Sequence, residues 1–273
     1  MRNLCTVLVT ALLVGPAFAD TINVPDDHAS IQDAIDASSN GDVITIAAGT
    51  FPGIDLDPSG KAITIEGTLD SNGTLATTID GQQTSAVFLF QSGEDSGTVI
   101  KDLVITGGNA DFSGGIFCFQ SNPTIIGCTI TGNAAQKSGG GLYLYQSSPS
   151  IIDCTISGNT ATIGGGMWSS IGSNPIISNA RICGNEPEQI NGFWTSGDGN
   201  DITTTCLVTI PCCVSGSCLF LTEAECDAAA GFYVPGASDC QDCKAPCRGD
   251  TNNDRQVDVV DLLTVIANWD RCP

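Results

Sequence analysis

Twelve residues near the end of the chain, Asp250 to Asp261, carry side chains whose types and spacing suit metal binding. Side-chain oxygens stand at the first, third, fifth, ninth and twelfth positions, and the main-chain carbonyl of the seventh position can supply another ligand. Calcium takes about six to eight oxygen ligands, and a loop with this spacing wraps one ion. The sequence therefore predicts calcium as a cofactor, with the ligands Asp250, Asn252, Asp254, Gln256, Asp258 and Asp261. The alternative is an acidic turn that holds no ion.

The residues around this loop predict a helix after it. Apolar residues recur there at helical spacing: Val259, Leu262, Leu263 and Ile266. Cys247 and Cys272 flank the loop and the helix, and we hypothesise a disulfide between them, which would add about 3–4 kcal/mol by the chain-entropy estimate. Arg255 stands at the sixth position, where a left-handed backbone favours glycine at an advantage of about 1–2 kcal/mol. We therefore expect weaker calcium binding than in a glycine-containing loop.

A second candidate site is a set of aromatic residues that recur at a spacing of 26 residues. The set comprises Phe117, Phe119, Tyr143, Tyr145 and Trp168. The residues that alternate with them are apolar: Ile116, Cys118, Leu142 and Leu144. In strands this alternation places the aromatic rings outside, where strands about 4.8 Å apart would form a flat exposed series of rings. Exposed apolar patches mark interaction sites, which predicts a carbohydrate contact. The alternative is that a C-terminal module of the chain or a crossing loop covers the rings.

Catalytic residues are harder to assign. His28 is the only histidine and precedes a predicted helix, so Ser-His-Asp and Cys-His chemistry is not expected. Two carboxylates can hydrolyse a glycoside. The carboxylates considered for such a pair or cluster are Asp55, Asp57, Asp102, Asp111 and Asp153. An acidic surface produces such groupings by chance, so the sequence assigns no catalytic residue.

The elements that must position the aromatic residues are repeats. Segments that start at positions 121, 147 and 173 read SNPTIIGCTITGN, SSPSIIDCTISGN and SNPIISNARICGN, so each begins 26 residues after the last. A fixed period of this length is typical of stacked repeats, and the alternation of apolar residues inside each copy indicates strands. The expected inward residues are Ile126, Cys128 and Ile130, with Ile152, Cys154 and Ile156 one repeat later. A parallel β-helix satisfies both the period and the alternation.

The flanking sequence predicts how this stack begins and turns. Within Asp20 to Ser39, the helical spacing of Ile31, Ala34 and Ile35 predicts a short amphipathic helix that covers the open N-terminal end. Strands are predicted over Val43–Ile46, Ile54–Leu56, Ile63–Ile65, Val87–Phe90 and Leu103–Ile105. Glycine tracts that include Gly115, Gly140 and Gly165 indicate tight corners. The side chains of Asn133, Asn159 and Asn185 are expected to hydrogen-bond to one another along the stack.

The composition indicates an exported chain. Arg2, the apolar run Leu4–Val14 and Ala17-Phe18-Ala19 predict a signal peptide cleaved after Ala19, and the run is too short to span a membrane. The formal net charge of −21 argues against nucleic acid as a partner. Of the 14 cysteines, nine follow residue 205 and predict a disulfide framework, whereas Cys118, Cys128 and Cys154 are expected to stay reduced. The predicted segments are a leader at 1–19, a β-helix at 20–205, a cysteine-rich module at 206–247 and a calcium segment at 248–273.

Two segments carry a resemblance to known families. VPDDHASIQDAIDASSNGDVITIAAGTF resembles the opening of right-handed parallel β-helix proteins of the pectin-lyase-like superfamily, and GGGLYLYQSSPSIIDCTISGN resembles their bacterial secreted repeat members. The superfamily holds lyases, hydrolases, esterases and non-enzymes, so the resemblance implies the fold and not an activity. The chain lacks the Gly-His-Gly element of polygalacturonases and the paired-Asp and Gln motifs of pectin methylesterases. Arg181 is the only arginine in the repeats, so the multi-arginine site of pectate lyases is missing.

The C-terminal segments resemble two small modules. The calcium loop and its helix resemble one duplicated half of a type I dockerin, which implies a protein partner; dockerins carry two such halves, and this chain carries one. Cys212 to Cys247 resembles a cysteine-rich module near the C-termini of bacterial secreted proteins.

These features predict an all-β chain: a right-handed parallel β-helix with an N-terminal capping helix, then a small disulfide-rich module and an EF-hand-like, dockerin-like tail. The favoured hypothesis is a secreted calcium-binding protein that contacts a polysaccharide or cell-surface glycan, or assembles through its tail. The alternatives are a polysaccharide-degrading enzyme, either a lyase or a glycoside hydrolase, and a structural spacer.

Overall fold

The computed structural model describes residues 19–206 with their side chains, and the backbone of three strands between residues 210 and 233. The chain divides into two compact units, and the first ends at Cys206. The predicted leader up to residue 18, the predicted calcium segment, Cys247 and Cys272 lie outside the described residues. Within the described residues no helix has both the length and the apolar character needed to cross a membrane.

The first unit is a parallel β-helix, because successive coils add parallel strands to three sheets. The first sheet contains β1 (Thr21–Val24), β2 (Val43–Ile46), β4 (Thr64–Glu66), β7 (Val99–Lys101), β11 (Thr124–Ile126), β15 (Ser150–Ile152), β18 (Ile176–Ser178) and β21 (Thr195–Ser196). The second contains β3 (Gly49–Pro52), β5 (Thr77–Asp80), β8 (Val104–Thr106), β12 (Thr129–Thr131), β16 (Thr155–Ser157), β19 (Arg181–Cys183) and β22 (Asp201–Thr203). The third contains β6 (Phe88–Phe90), β10 (Ile116–Phe119), β14 (Leu142–Tyr145), β17 (Met167–Ser169) and β20 (Ile190–Gly192).

Columns of isoleucine fill the interior. Parallel pairing in register places the same inward position of each coil above that of the next, so one residue type can repeat along the axis. In the first sheet the column is Ile44, Ile65, Ile100, Ile125, Ile151 and Ile177. In the second sheet it is Ile79, Ile105, Ile130, Ile156 and Ile182. All of them are completely buried, and each contributes about 1.5–3 kcal/mol by its removal from water.

Each bend between the first and second sheets contains one residue that shifts which side chains of the following strand face the interior. Gly127 and Asp153 occupy this bend with φ values of 61° and 54°. The left-handed residue turns the chain and restarts the alternation, so Cys128 points inward. Ile126 and Ile152, which the sequence analysis placed inside, point outward and are half-buried, and that prediction was wrong.

The N-terminal segment forms a strand, which was not predicted, and then a short helix. Strand β1 pairs with β2, which uses the first residues of the segment as the start of the first sheet. Helix α1 spans Ile31–Ala37, and the Ser30 hydroxyl accepts a hydrogen bond from the Asp33 N–H at 3.1 Å, which caps its N-terminus. The side chains that α1 buries are those of the predicted apolar face: Ile31, Ala34 and Ile35.

The strand predictions for the early coils agree with the structure except in one place. Val43–Ile46 is β2, and three other predicted strands overlap β4, β6 and β8. Ile54–Leu56 does not form a strand. Ile54 is 41% exposed, and Leu56 makes only an isolated bridge to Phe88. Asp55, between them, has a φ of 53°, which breaks the extended backbone there.

A column of buried asparagines lies at the corner after the second sheet, as predicted. Asn159 Oδ1 accepts hydrogen bonds from the main-chain N–H and the side-chain amide of Asn133, at 3.0 and 3.1 Å. Asn185 Oδ1 accepts the equivalent pair from Asn159, both at 3.0 Å. Each asparagine amide also donates to an isoleucine carbonyl of the neighbouring coil, so the buried corner has its polar groups satisfied.

The cysteines of the first unit are of two kinds. Cys118, Cys128 and Cys154 are buried and free, which confirms the prediction of reduced thiols in the core. Cys183 and Cys206 form a disulfide that ties the last described residue of the unit to β19. In the second unit, β23 (Ile210–Val214), β24 (Ser217–Leu221) and β25 (Phe232–Tyr233) form an antiparallel sheet.

Candidate functional site

The outward face of the third sheet carries the predicted aromatic residues. Strand β10 pairs with β14 in register, so Phe117 lies beside Tyr143 and Phe119 beside Tyr145. Trp168 on β17 extends the first of these rows by one coil. The alternating apolar partners are completely buried: Ile116, Cys118, Leu142 and Leu144. The sequence therefore predicted correctly which side chains of this sheet face outward.

The rings stack on one another and do not lie flat on the sheet. The Phe117 and Tyr143 rings have centroids 5.3 Å apart with planes inclined by 4°, and Phe119 and Tyr145 have the same geometry. Coplanar rings this close would bring edge carbons to about 2.5–3 Å, below the ordinary carbon contact of about 3.5 Å. The faces of neighbouring rings must therefore overlap, and the expected flat series of rings was wrong.

The two rows differ in their exposure. Tyr143 is 9% exposed, because it stacks on Trp168 with a centroid distance of 4.6 Å and because the Phe112 ring covers it at 5.0 Å. Burial raises the pKa of the Tyr143 phenol, and the neighbouring Tyr145 phenol raises it further. By contrast, Phe119 and Tyr145 are 39% and 37% exposed. We call these two residues the exposed ring pair.

Phe112 belongs to a small outer sheet that the sequence did not reveal. Strand β9 (Asn109–Phe112) pairs with β13 (Ala134–Ser138) beside the third sheet. Lys137 of β13 lies 4.6 Å from the centre of the Phe112 ring and forms an ion pair with Asp111 at 2.8 Å. The Phe112 ring of this outer sheet covers Tyr143, and Phe117 and Trp168 on either side remain partly exposed.

The glycine tracts let the outer sheet lie against the coils. A Cβ on Gly114 would stand 2.5 Å from the Gly108 carbonyl oxygen and 2.6 Å from the backbone of Ala134. A Cβ on Gly140 would clash with the Thr160 carbonyl oxygen. Gly114 and Gly140 are therefore required for close backbone approach, whereas Gly139 and Gly164 have a positive φ.

Two glutamines flank the exposed ring pair. Gln120 and Gln146 each follow a ring residue, are exposed, and have a φ of 50°. The Gln120 Nε2 amide donates to Gln146 Oε1 at 2.8 Å. Neither glutamine was predicted as a site residue, although their spacing of 26 residues was a usable signal. Phe112 gave no such signal, because its position depends on the outer sheet.

The carboxylates considered for catalysis lie at separate places in the described residues. Asp102 and Asp153 occupy the same bend two coils apart, with Gly127 between them. Asp111 lies on the outer sheet and pairs with Lys137. No catalytic cluster follows from these positions.

The remaining candidates have separate partners as well. Asp55 accepts a hydrogen bond from the Ser85 hydroxyl at 2.6 Å, and Asp57 accepts one from the Gln91 amide at 3.4 Å. The Arg181 Nε lies 3.8 Å from a carboxylate oxygen of Asp201.

A cavity of about 580 Å³ lies at the last coils of the first unit. Its lining includes Trp194, Ile190 and Ile202, which are only partly buried. Glu186 and Glu188 add two carboxylates, and the Glu188 side chain accepts a hydrogen bond from the Gly164 N–H at 2.9 Å. No sequence pattern predicted this cavity, because the repeat pattern fades after Asn185.

The six expected calcium ligands and the cysteines of the hypothesised disulfide lie outside the described residues. Within residues 19–206, no three or more His, Cys, Asp or Glu side chains are arranged to hold a metal ion.

Comparison with known proteins identifies the family. None of the curated proteins matches the chain. Two solved structures of a pectin methylesterase from Aspergillus niger, in two deglycosylated forms, are similar to it at 13% and 11% identity, with TM-scores of 0.38 and 0.29. Each alignment covers 70% of this chain and 88% of the other. A family model described as a right-handed beta helix region matches residues 35–206. That match spans more than half of the sequence, and the chain belongs to the right-handed β-helix family.

Proposed function

We propose that this protein is a secreted, non-catalytic β-helix protein that contacts extracellular glycans through the exposed ring pair. The observation that supports the proposal is the exposure of Phe119 and Tyr145, 39% and 37%, on a sheet whose inward residues are completely buried. Two stacked rings on adjacent strands form a rigid apolar surface, which a sugar ring can contact with little loss of side-chain freedom.

The experiment is retention of the full-length protein on insoluble and gel-embedded polysaccharides. Phe119→Ala combined with Tyr145→Ala should abolish retention, because each ring contributes on the order of 1 kcal/mol to such contacts. Phe193→Ala is the matched control, since Phe193 is a 59% exposed aromatic residue outside the ring pair. Both variants should keep the wild-type circular dichroism spectrum.

Retention that is unchanged in the double variant across a broad glycan panel would contradict the proposal and favour the spacer alternative. A rise in reducing ends or unsaturated product, lost on Arg181→Ala, would instead support the polysaccharide-degrading alternative.

We also propose that the C-terminal segment at 248–273 binds one calcium ion and serves as an assembly tail for a protein partner. The support is the spacing of its six oxygen ligands, and the flanking Cys247 and Cys272 supply the proposed disulfide. Calorimetric titration of the full-length protein with calcium tests whether the ion binds.

The ends of the β-helix complete the proposal. The helix α1 buries Ile31, Ala34 and Ile35 in the core, which suits a cap over the first coil.

Export would remove the leader at 1–19, so the mature protein should begin at Asp20. Intact-mass measurement of the secreted protein can check this start. Limited proteolysis would test the proposed boundaries of the cysteine-rich module at 206–247.

A further inference from the structure

We infer that the surface around the exposed ring pair selects neutral, hydroxyl-rich glycans over acidic ones; this rests on the proposed glycan contact and specifies its ligand class.

The hydrogen-bonding groups beside the rings are uncharged amides. Gln120 and Gln146 follow Phe119 and Tyr145, and their hydrogen bond uses one donor and one acceptor. Whichever amide donates, the pair keeps a free carbonyl oxygen and a free N–H₂ group with no partner among the described residues. A sugar hydroxyl is both a donor and an acceptor, so it can bond to both groups. A carboxylate only accepts and can use only one of them.

The described cations are all engaged with oxygen atoms. Lys61 donates to the carbonyls of Ile35 and Asp36. The other pairs are Lys101 with Glu66, Lys137 with Asp111, and Arg181 with Asp201. Of these cations, Lys137 lies on the outer sheet next to the aromatic rows, and its Asp111 partner lies 2.8 Å away. A polyuronate therefore finds no uncommitted cation among residues 19–206.

Negative charge also lies beside the rings. Gln91 follows Phe90, the strand partner of Cys118, so it lies next to Phe119. Its amide bonds to the Asp57 carboxylate at 3.4 Å. The chain as a whole carries a formal charge of −21. An acidic polysaccharide would approach this surface against electrostatic repulsion, which is strongest at low salt.

The test uses one polymer backbone in two charge states. Full-length protein is measured by affinity electrophoresis in gels that contain fully methyl-esterified polygalacturonate or the de-esterified polymer, with a chelator present, at low and at moderate salt. Hydroxyethyl cellulose serves as a second neutral probe. We expect the neutral polymers to bind at least about ten-fold more tightly at low salt, and the difference to shrink as salt screens the charges.

Three variants separate the contributions. Gln120→Gly with Gln146→Gly removes both amides while suiting the left-handed backbone, and it should weaken binding to the neutral probes by about ten-fold. Gln146→Lys adds a cation at the same place and should raise retention by polygalacturonate. Phe193→Ala remains the matched control.

The outcomes distinguish this inference from the proposed function. Binding to no polymer, with the wild-type protein folded, would overturn the glycan contact itself. Binding to polygalacturonate that equals or exceeds binding to its methyl ester at low salt would overturn the selectivity and leave the glycan contact standing. Unchanged neutral binding in the double glycine variant would overturn the role of the amides.

Discussion

The ring of Phe112 lies on the ring of Tyr143, with centroids 5.0 Å apart and planes inclined by 51°. This contact covers Tyr143 from outside, whereas Phe117 and Trp168 on either side of it remain partly exposed. Phe112→Ala should expose Tyr143 and add a further ring to the surface that a glycan can reach. We expect glycan retention to increase by roughly five-fold, which corresponds to on the order of 1 kcal/mol.

A spectroscopic measurement checks this uncovering without any ligand. Burial raises the pKa of the Tyr143 phenol, so Phe112→Ala should lower that pKa toward the usual tyrosine range in an ultraviolet titration. Phe193→Ala should leave the titration unchanged. A Phe112→Ala titration identical to that of the wild type would show that Phe112 does not cover Tyr143 in solution.

Asn159 is expected to be a strong determinant of stability. Its side chain is completely buried and bonds to Asn133, Asn185 and the Ile130 carbonyl. Asn159→Ala leaves at least two buried polar groups without partners, at about 1–3 kcal/mol each. Urea unfolding should show a loss of about 2–5 kcal/mol. Asn72→Ala, in an exposed turn, is the control, and an equal loss in both variants would argue against the asparagine column.

The stability of the protein should fall at alkaline pH through its buried thiols. Burial raises the pKa of the Cys118 and Cys128 thiols, so the folded protein keeps them protonated while the unfolded chain ionises. The contribution of these protonated thiols to the free energy of unfolding is fully present below a pH of about 8.5. It is lost as the pH rises above that value. Between pH 8.5 and 10, the Cys118 thiol accounts for about 2 kcal/mol of that loss, since the pKa of the unfolded thiol is about 8.5.

Urea unfolding at a series of pH values measures the effect. Cys118→Ala should be less stable than the wild type near neutral pH but should lose less stability between pH 8.5 and 10. Ile130→Val is the control, because it weakens the core without removing a titratable group and should keep the wild-type pH dependence. Parallel pH curves for wild type and Cys118→Ala would contradict the prediction.

Calcium binding should depend on the ends of the proposed loop. Calorimetry on the full-length protein should show one calcium site that Asp250→Ala or Asp261→Ala abolishes, because each removes a carboxylate ligand. Arg255→Gly should bind more tightly, since glycine suits the left-handed sixth position. Asp95→Ala, an exposed acid of the β-helix, should bind as the wild type does. Calcium heat that persists in Asp250→Ala would mean that the ion binds elsewhere.

The sequence predicted the coils well because their period and their alternation are local patterns. The 26-residue spacing alone places Phe117 beside Tyr143 and Asn133 beside Asn159, since parallel strands in register keep the period of the sequence. The alternation failed at Ile126, because a single left-handed residue at the bend shifts the inward face, and the strand pattern does not contain that shift.

Features that depend on contacts across the coil were not predictable in this way. Phe112 covers Tyr143 because two strands outside the three main sheets pair with each other, and the glycines that permit this were interpreted as simple corners. The tilt of the rings follows from contact distances between neighbouring side chains, which the spacing of the strands alone does not give. The chemistry at Gln120 and Gln146 was accessible from the period and was overlooked.

The asparagine column also defines a unit in which the length of this protein can change. Its members are 26 residues apart. The residues that follow Asn133 and Asn159 are Ala134 and Thr160, and these two form a parallel bridge. Removal of residues 134–159 would therefore join Asn133 to Thr160 in register and stack Asn133 on Asn185. An insertion of one residue within a strand would instead turn every later side chain of that strand to the opposite face. Related proteins that evolved from such a chain should therefore differ in length by whole coils. Their aromatic rows should gain or lose one ring with each coil.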